Sequence, residues 1–298
     1  MAAPRFGYLL TAMVTPFADD GTLDLDAARV LAQFLVAQGN DALVVGGSTG
    51  EGSSLSDTEK LDLFAAVAEA VSVPVLAGTS SSDTARSVAL TSRVAATGVA
   101  GVLATTPAYA GPSQRGIAAH FGAMAEATPL PLMLYDIPVR TGRKVASATT
   151  VEVVRRHVNV VALKDASGDL VAAAATKYEL GEALDLYSGD DALLLPFLAI
   201  GAVGVVSVAA HWAAPEFAAL IRSAHAGDWN AARALNARLA TSCSFESSEM
   251  YPNPLPSKAA MRALGFAVGQ CRLPLGPSDD VLDQSARDVV SALAASRG

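Results

Sequence analysis

Short apolar runs alternate with longer amphipathic stretches along most of this chain. The runs cover residues 8–14, 42–45, 74–78, 101–105, 130–135, 160–164, 184–187 and 203–208. Runs this short, bounded by Gly, Pro and polar clusters, predict strands buried on both faces. The stretches between them carry apolar residues near helical spacing. They predict helices over 25–38, 84–96, 114–127, 147–156, 170–180, 192–200 and 215–226. Another helix is opened by Ser56-Asp57-Thr58-Glu59, a capping box, with Leu61, Phe64, Ala65 and Ala68 on one face. Eight strand–helix units, with strand starts roughly 25 to 35 residues apart, predict a parallel sheet with right-handed crossovers. Their number predicts a (β/α)8 TIM barrel over residues 1–226, and a doubly wound open sheet is the structural alternative. After Gly227 the strand signal stops. Residues 229–241, 257–265 and 279–296 read as helices, a small C-terminal appendage over 227–298.

Composition narrows the function classes. The 298 residues are 51% hydrophobic and 17% charged, a globular balance. A formal net charge of −8 argues against non-specific nucleic-acid binding and leaves an anionic substrate possible. Cys243 and Cys271 have no metal spacing and form no disulfide framework. The N-terminus lacks a signal-peptide pattern, and Gly, Pro or charge interrupts every apolar run before membrane-spanning length. The expectation is a cytoplasmic protein with no membrane partner. His120, His157, His211 and His225 make no metal-ligand spacing with one another or with Cys or Glu, so no metal is expected. No G-x-S-x-G nucleophile elbow is present either.

The chemistry-bearing residues fall where predicted strands end. In Val-Val-Ala-Leu-Lys-Asp-Ala-Ser-Gly, residues 160–168, Lys164 closes an apolar run. A desolvated lysine loses its proton more readily and becomes a nucleophile for carbonyl carbon. A lysine snorkelling at the strand end, or paired with Asp165, is the plain alternative. The other lysines are Lys60, Lys144, Lys177 and Lys258, and the first three sit in stretches that read as exposed. After the second strand, residues 46–52 set Ser48 and Thr49 among glycines, offering hydroxyl and N–H donors to a carboxylate or phosphate. No Gly-Lys-Ser/Thr follows, so this loop is not a P-loop. Tyr109 follows the fourth strand. Tyr135 ends the fifth, one strand before Lys164, a proton-transfer partner suited to imine chemistry. Arg140 offers a planar fork to a carboxylate. Asp190 after the seventh strand reads as an N-cap.

These motifs resemble the dihydrodipicolinate synthase / N-acetylneuraminate lyase family of class I aldolase-like barrels. The matching stretches are residues 47–51 (GSTGE), 105–109 (TTPAY), 135–142 (YDIPVRTG), 161–168 (VALKDASG), 187–191 (YSGDD), 204–208 (GVVSV) and 252–258 (PNPLPSK). They span essentially the whole chain. The resemblance implies that Lys164 forms a Schiff base with pyruvate, with no separate cofactor. It implies that Ser48 and Thr49 hold the pyruvate carboxylate, and that Ser48, Tyr135 and Tyr109 relay protons. Tyr109 is implied to reach the site of a neighbouring subunit, hence a homodimer or homotetramer. Arg140 matches the residue that binds the carboxylate of L-aspartate 4-semialdehyde, and Val206 the one whose carbonyl lies near the imine. The implied reaction condenses pyruvate with that aldehyde in lysine and diaminopimelate biosynthesis. A related pyruvate aldolase or a keto-deoxy sugar acid dehydratase is the alternative, and a non-catalytic keto-acid binder the other.

The chain departs from the family pattern at several positions. Ser48 stands where the synthases usually have threonine, and Ala108 precedes Tyr109 where many members have a second tyrosine. Members inhibited by lysine carry a glutamate where this chain has Arg86, and histidines where it has Asp57 and Lys60. A cationic effector would face Arg86, so no lysine inhibition is expected.

Overall fold

The computed structural model describes residues 3–297. Its strands are β1 (Leu9–Ala12), β2 (Ala42–Val45), β3 (Val75–Gly78), β4 (Gly101–Thr105), β5 (Leu132–Asp136), β6 (Val160–Asp165), β7 (Asp185–Ser188) and β8 (Gly204–Ser207). The helices around them are α1 (Leu25–Ala37), α2 (Asp57–Ala70), α3 (Thr84–Thr91), α4 (Gln114–Glu126), α5 (Pro138–Thr141), α6 (Ser147–Arg156), α7 (Leu170–Leu180), α8 (Leu194–Ala199) and α9 (Ala210–His225). Three more, α10 (Trp229–Phe245), α11 (Leu255–Ala263) and α12 (Asp280–Ala295), follow.

All eight strands are parallel, and the sheet closes on itself in chain order, so the TIM barrel holds and the open sheet does not. Closure comes from β1 pairing β8, with Leu10 opposite Val206. Alternate residues of each strand point inward. Leu10, Val44, Leu103, Met133, Ala162 and Val206 fill the interior, while Leu43, Val102, Leu134, Leu163 and Leu186 pack against the helices. Seven helices start on an Asp or Ser whose side chain accepts an N–H of the first turn, among them Ser56 with its full capping box. Each cap is worth about 1 kcal/mol.

The helix boundaries depart from the pattern at specific places. α3 stops at Thr91, and a 3-10 turn at Val94–Thr97 finishes the predicted span. The predicted helix at 192–200 opens as a 3-10 turn, Asp191–Leu193. Pro215 reads as a helix start, yet α9 begins at Ala210 and kinks at Ala213 (φ −121°), two residues before the proline. α5 is a helix of four residues in a stretch that reads as loop. Lys60 reads as exposed but is 4% exposed, and Lys144 and Lys177 are half-buried, the first paired with Asp169 and the second donating to the Gly181 and Leu184 carbonyls.

α10 packs along α9, where the Trp212 indole donates to the Ser242 hydroxyl at 3.0 Å. At the far end Arg297 pairs with Glu216 of α9 at 2.6 Å. The tail also reaches the barrel mouth: Lys258 of α11 forms a buried ion pair with Glu51 at 2.8 Å.

Candidate active site

The pairing of β5 with β6 sets Tyr135 directly opposite Lys164. Both side chains point into the barrel near the C-terminal ends of their strands. Lys164 is 3% exposed and Tyr135 is 4% exposed. The Lys164 Nζ lies 4.3 Å from the centre of the Tyr135 ring. Asp165 points to the outer face, where it accepts the Ser167 N–H at 2.8 Å. Neighbours on one strand cannot share a face, so Asp165 is not the partner of Lys164.

Burial pulls the Lys164 ammonium down to about 8; the Asp191 and Glu246 carboxyls oppose that fall and Arg140 adds to it. At pH 7 about a tenth of such a lysine is free amine, against about one part in three thousand for an ordinary one. Burial raises the Tyr135 phenol above its usual range, while Arg140 and a hydrogen bond with Ser48 pull against the rise. Tyr135 is therefore a neutral phenol at pH 7, able to pass a proton through Ser48. Close packing fixes the lysine stem from behind. A Cβ on Gly189, just after β7, would stand 2.8 Å from the Ala166 Cβ and 3.0 Å from the Lys164 Cγ.

The loop after β2 is tied down at several points. The Thr15 hydroxyl donates to the Gly50 carbonyl at 2.6 Å. Asn253, just before α11, donates its amide to the Thr49 hydroxyl at 2.8 Å. The Asn253 carbonyl accepts from the Arg140 guanidinium at 2.9 Å. One residue of the tail thus holds both groups that the sequence reading takes as carboxylate clamps. Val206 is fully buried in the barrel interior on β8. Asp190 caps the turn after β7, accepting the Ala192 N–H at 2.9 Å.

The chain therefore brings Lys164, Tyr135, Ser48, Thr49, Arg140 and Val206 to one end of the barrel. Tyr109 stands apart: its ring is fully exposed, and its backbone has φ +69°. Asn253, Asp191 and Glu246 escape the sequence reading. Asn253 lies in a motif that stands out, PNPLPSK, but nothing in the pattern shows where its amide points. Among the described residues no cluster of three His, Cys, Asp or Glu is arranged to hold a metal ion. No helix among them is long and apolar enough to cross a membrane. A dry amine beside a neutral phenol, with donors at both sides, suits imine formation on a small keto acid.

Known proteins resemble this chain over nearly its whole length. The profile of the dihydrodipicolinate synthetase family matches residues 5–293. A 4-hydroxy-tetrahydrodipicolinate synthase of Moorella thermoacetica is 45% identical over 273 residues, covering 91% of this chain and 92% of its own. The dihydrodipicolinate synthase of Cyanidioschyzon merolae, solved with lysine bound, superposes with a TM-score of 0.94 at 39% identity, over 97% of this chain and 98% of that one. The Acinetobacter baumannii enzyme, solved as a complex with pyruvate, superposes at 0.91 with 31% identity, over 97% and 99%.

Proposed function

The chain belongs to the dihydrodipicolinate synthetase family, and from that premise we propose that it condenses pyruvate with L-aspartate 4-semialdehyde to 4-hydroxy-tetrahydrodipicolinate. That product lies on the route to diaminopimelate and lysine. The observation that carries the reading is the buried Lys164 amine stacked on the Tyr135 phenol, in a chain whose relatives bear this name.

The Lys164 amine attacks C2 of pyruvate, and water leaves as the protonated imine forms. The cationic imine draws electrons from C3, which gives up a proton to the relay of Tyr135 and Ser48. The enamine carbon then attacks the aldehyde, and the aldehyde oxygen takes a proton from the same relay. The amino group of the second substrate closes on C2 and expels Lys164. Thr49 and Ser48 hold the pyruvate carboxylate, Arg140 holds that of the aldehyde, and the Val206 carbonyl faces the imine. The chemistry needs no cofactor beyond the lysine itself.

A second copy of the chain belongs to this reading. A non-glycine residue in the left-handed region costs about 1 kcal/mol. Tyr109 bears that cost with its ring in solvent, as a residue does when it completes the relay of a neighbouring subunit in a homodimer or homotetramer. The unpaired thiols of Cys243 and Cys271 fit work in the cytoplasm.

Steady-state assays with pyruvate and a panel of aldehydes test the assignment. We expect the highest kcat/KM with L-aspartate 4-semialdehyde. Faster turnover of a keto-deoxy sugar acid, or of an uncharged aldehyde, would move the protein to another activity of the family.

A further inference from the structure

Two carboxyl groups behind Lys164 have no role in the steps above. Asp191 opens the turn after β7 and is 2% exposed. Its Oδ2 accepts the N–H of Val208 at 2.9 Å and of Ala209 at 2.7 Å, where α9 begins. Its Oδ1 is buried and receives no donor from the described residues. Glu246 lies at the end of α10, with its Oε2 likewise buried and without a donor. α10 packs against the turn that Asp191 opens, which sets the Glu246 carboxyl beside that of Asp191, and both act on the Lys164 charge.

Two facing carboxylates, dry and each with one oxygen that receives no donor, cannot both stay ionised. One proton between them supplies the missing bond to both oxygens and leaves a single negative charge. We propose that Asp191 and Glu246 share one proton and together present one fixed negative charge to the nitrogen of Lys164, positioned to stabilise the cationic imine. The proposal rests on Lys164 being the imine lysine. Glu246 holds its proton well above the ordinary carboxyl range, chiefly through burial and then through the Asp191 charge. The other groups facing the pair are accounted for. Asp190 is engaged as a cap, and its carboxyl too is raised by burial. The Cys243 thiol from α10 is raised by burial and by the acids around it. Burial lowers His211 of α9 to about 4, so it is a neutral ring at pH 7. Its Nε2 accepts the Val14 N–H at 3.1 Å, and its other nitrogen bonds the Val208 carbonyl at 2.7 Å. Arg140 approaches from α5 as a fixed cation acting on the lysine.

The charge count predicts an unusual pattern of variants. In Glu246→Gln the amide takes the place of the shared proton and Asp191 keeps the charge. In Asp191→Asn the amide donates to Glu246, which now carries the charge. Only the double variant Asp191→Asn/Glu246→Gln is neutral. Borohydride trapping of the parent with pyruvate comes first, since no adduct on Lys164 would remove the underlying reading and leave nothing for the pair to serve. With the adduct shown, the pH profile of kcat/KM for pyruvate is measured for all four proteins. The acid limb reports the Lys164 amine. We expect it to stay put in each single variant and to move down by about one pH unit in the double variant, a tenfold shift in the amine–ammonium ratio. Half-saturation with pyruvate above the limb should rise about tenfold in the double variant, since the imine loses the same stabilisation. A limb that moves equally in Glu246→Gln alone, or that stays in the double variant, overturns the proposal. Should the double variant not fold, infrared difference spectra decide. The parent at pH 7 should show a protonated-carboxyl stretch that Glu246→Gln lacks, and identical spectra overturn the shared proton.

Discussion

Lys164 and Lys258 are both buried, at 3% and 1% exposure, and both lie over an aromatic ring, at 4.3 Å from Tyr135 and 4.2 Å from Phe17. Their polar partners differ. Lys258 has the Glu51 carboxylate at 2.8 Å and the Gln270 carbonyl at 2.8 Å. Those bonds hold it as a cation and fasten α11 to the loop that carries Ser48 and Thr49. Among the described residues Lys164 has no carboxylate within ion-pair distance, and its acids act through space. Burial lowers the proton affinity of both, and in Lys258 the Glu51 pair opposes the fall through charge and a direct hydrogen bond. Burial alone therefore does not mark a nucleophile. What sets Lys164 apart is dryness without a direct counter-ion, beside the Tyr135 phenol. Lys60 makes the same point: it is 4% exposed, yet lies on α2 outside the barrel, where Asp57 is already paired with Arg86 at 3.0 Å.

The comparison breaks most sharply if the two lysines are exchanged in function. Lys164→Met should lower kcat/KM by about 10⁴-fold or more. The same change should raise stability at pH 7 by up to about 3 kcal/mol, because the folded state no longer holds a lysine of depressed pKa. The sign follows from proton counts. Between about 8 and the unfolded value of 10.5 the unfolded chain binds more protons, so the native protein gains stability as pH rises through that window. The full penalty applies below it, and denaturant melts of parent and variant at pH 7 and pH 10.5 should converge. Lys258→Met should do the opposite: a loss of about 3 to 5 kcal/mol, because Glu51 is left buried and unpaired. The folded fraction should still form the pyruvate imine. Tyr135→Phe should lower kcat by about 10² to 10³-fold while slow trapping on Lys164 persists, as removal of a proton relay predicts. Arg140→Ala should raise KM for the aldehyde by about tenfold to a hundredfold and leave pyruvate trapping nearly unchanged, the cost of losing a charged clamp. The smallest effect concerns Lys60 and Arg86. Millimolar lysine should leave the rate unchanged, since Lys60 and the Arg86 paired with Asp57 present two cations to it, and clear inhibition in the assay would contradict that electrostatic reading.

The barrel and its catalytic end are legible in the chain because both depend on local pattern. Strand runs ended by glycine and polar residues place Lys164, Tyr135 and Ser48 at strand ends, and alternation sends Lys164 inward and Asp165 outward. Long-range contacts leave no such trace. Nothing in the stretch around Lys60 shows that it is buried, and nothing near Glu246 shows that α10 returns its carboxyl to Asp191, 55 positions earlier in the chain. Asn253 bridges Thr49 and Arg140 only because the tail folds over the mouth. Tyr109 reads as a site residue through the family motif, and within this one chain its ring lies in solvent.

Borohydride reduction of the protein with pyruvate, followed by peptide mass analysis, tests the central claim most directly. A single adduct on Lys164, with Lys60 and Lys258 unmodified, is the expected result. An adduct on Lys258 or Lys60, or none with Lys164 intact, would contradict the argument that dryness without a direct counter-ion singles out the reactive lysine.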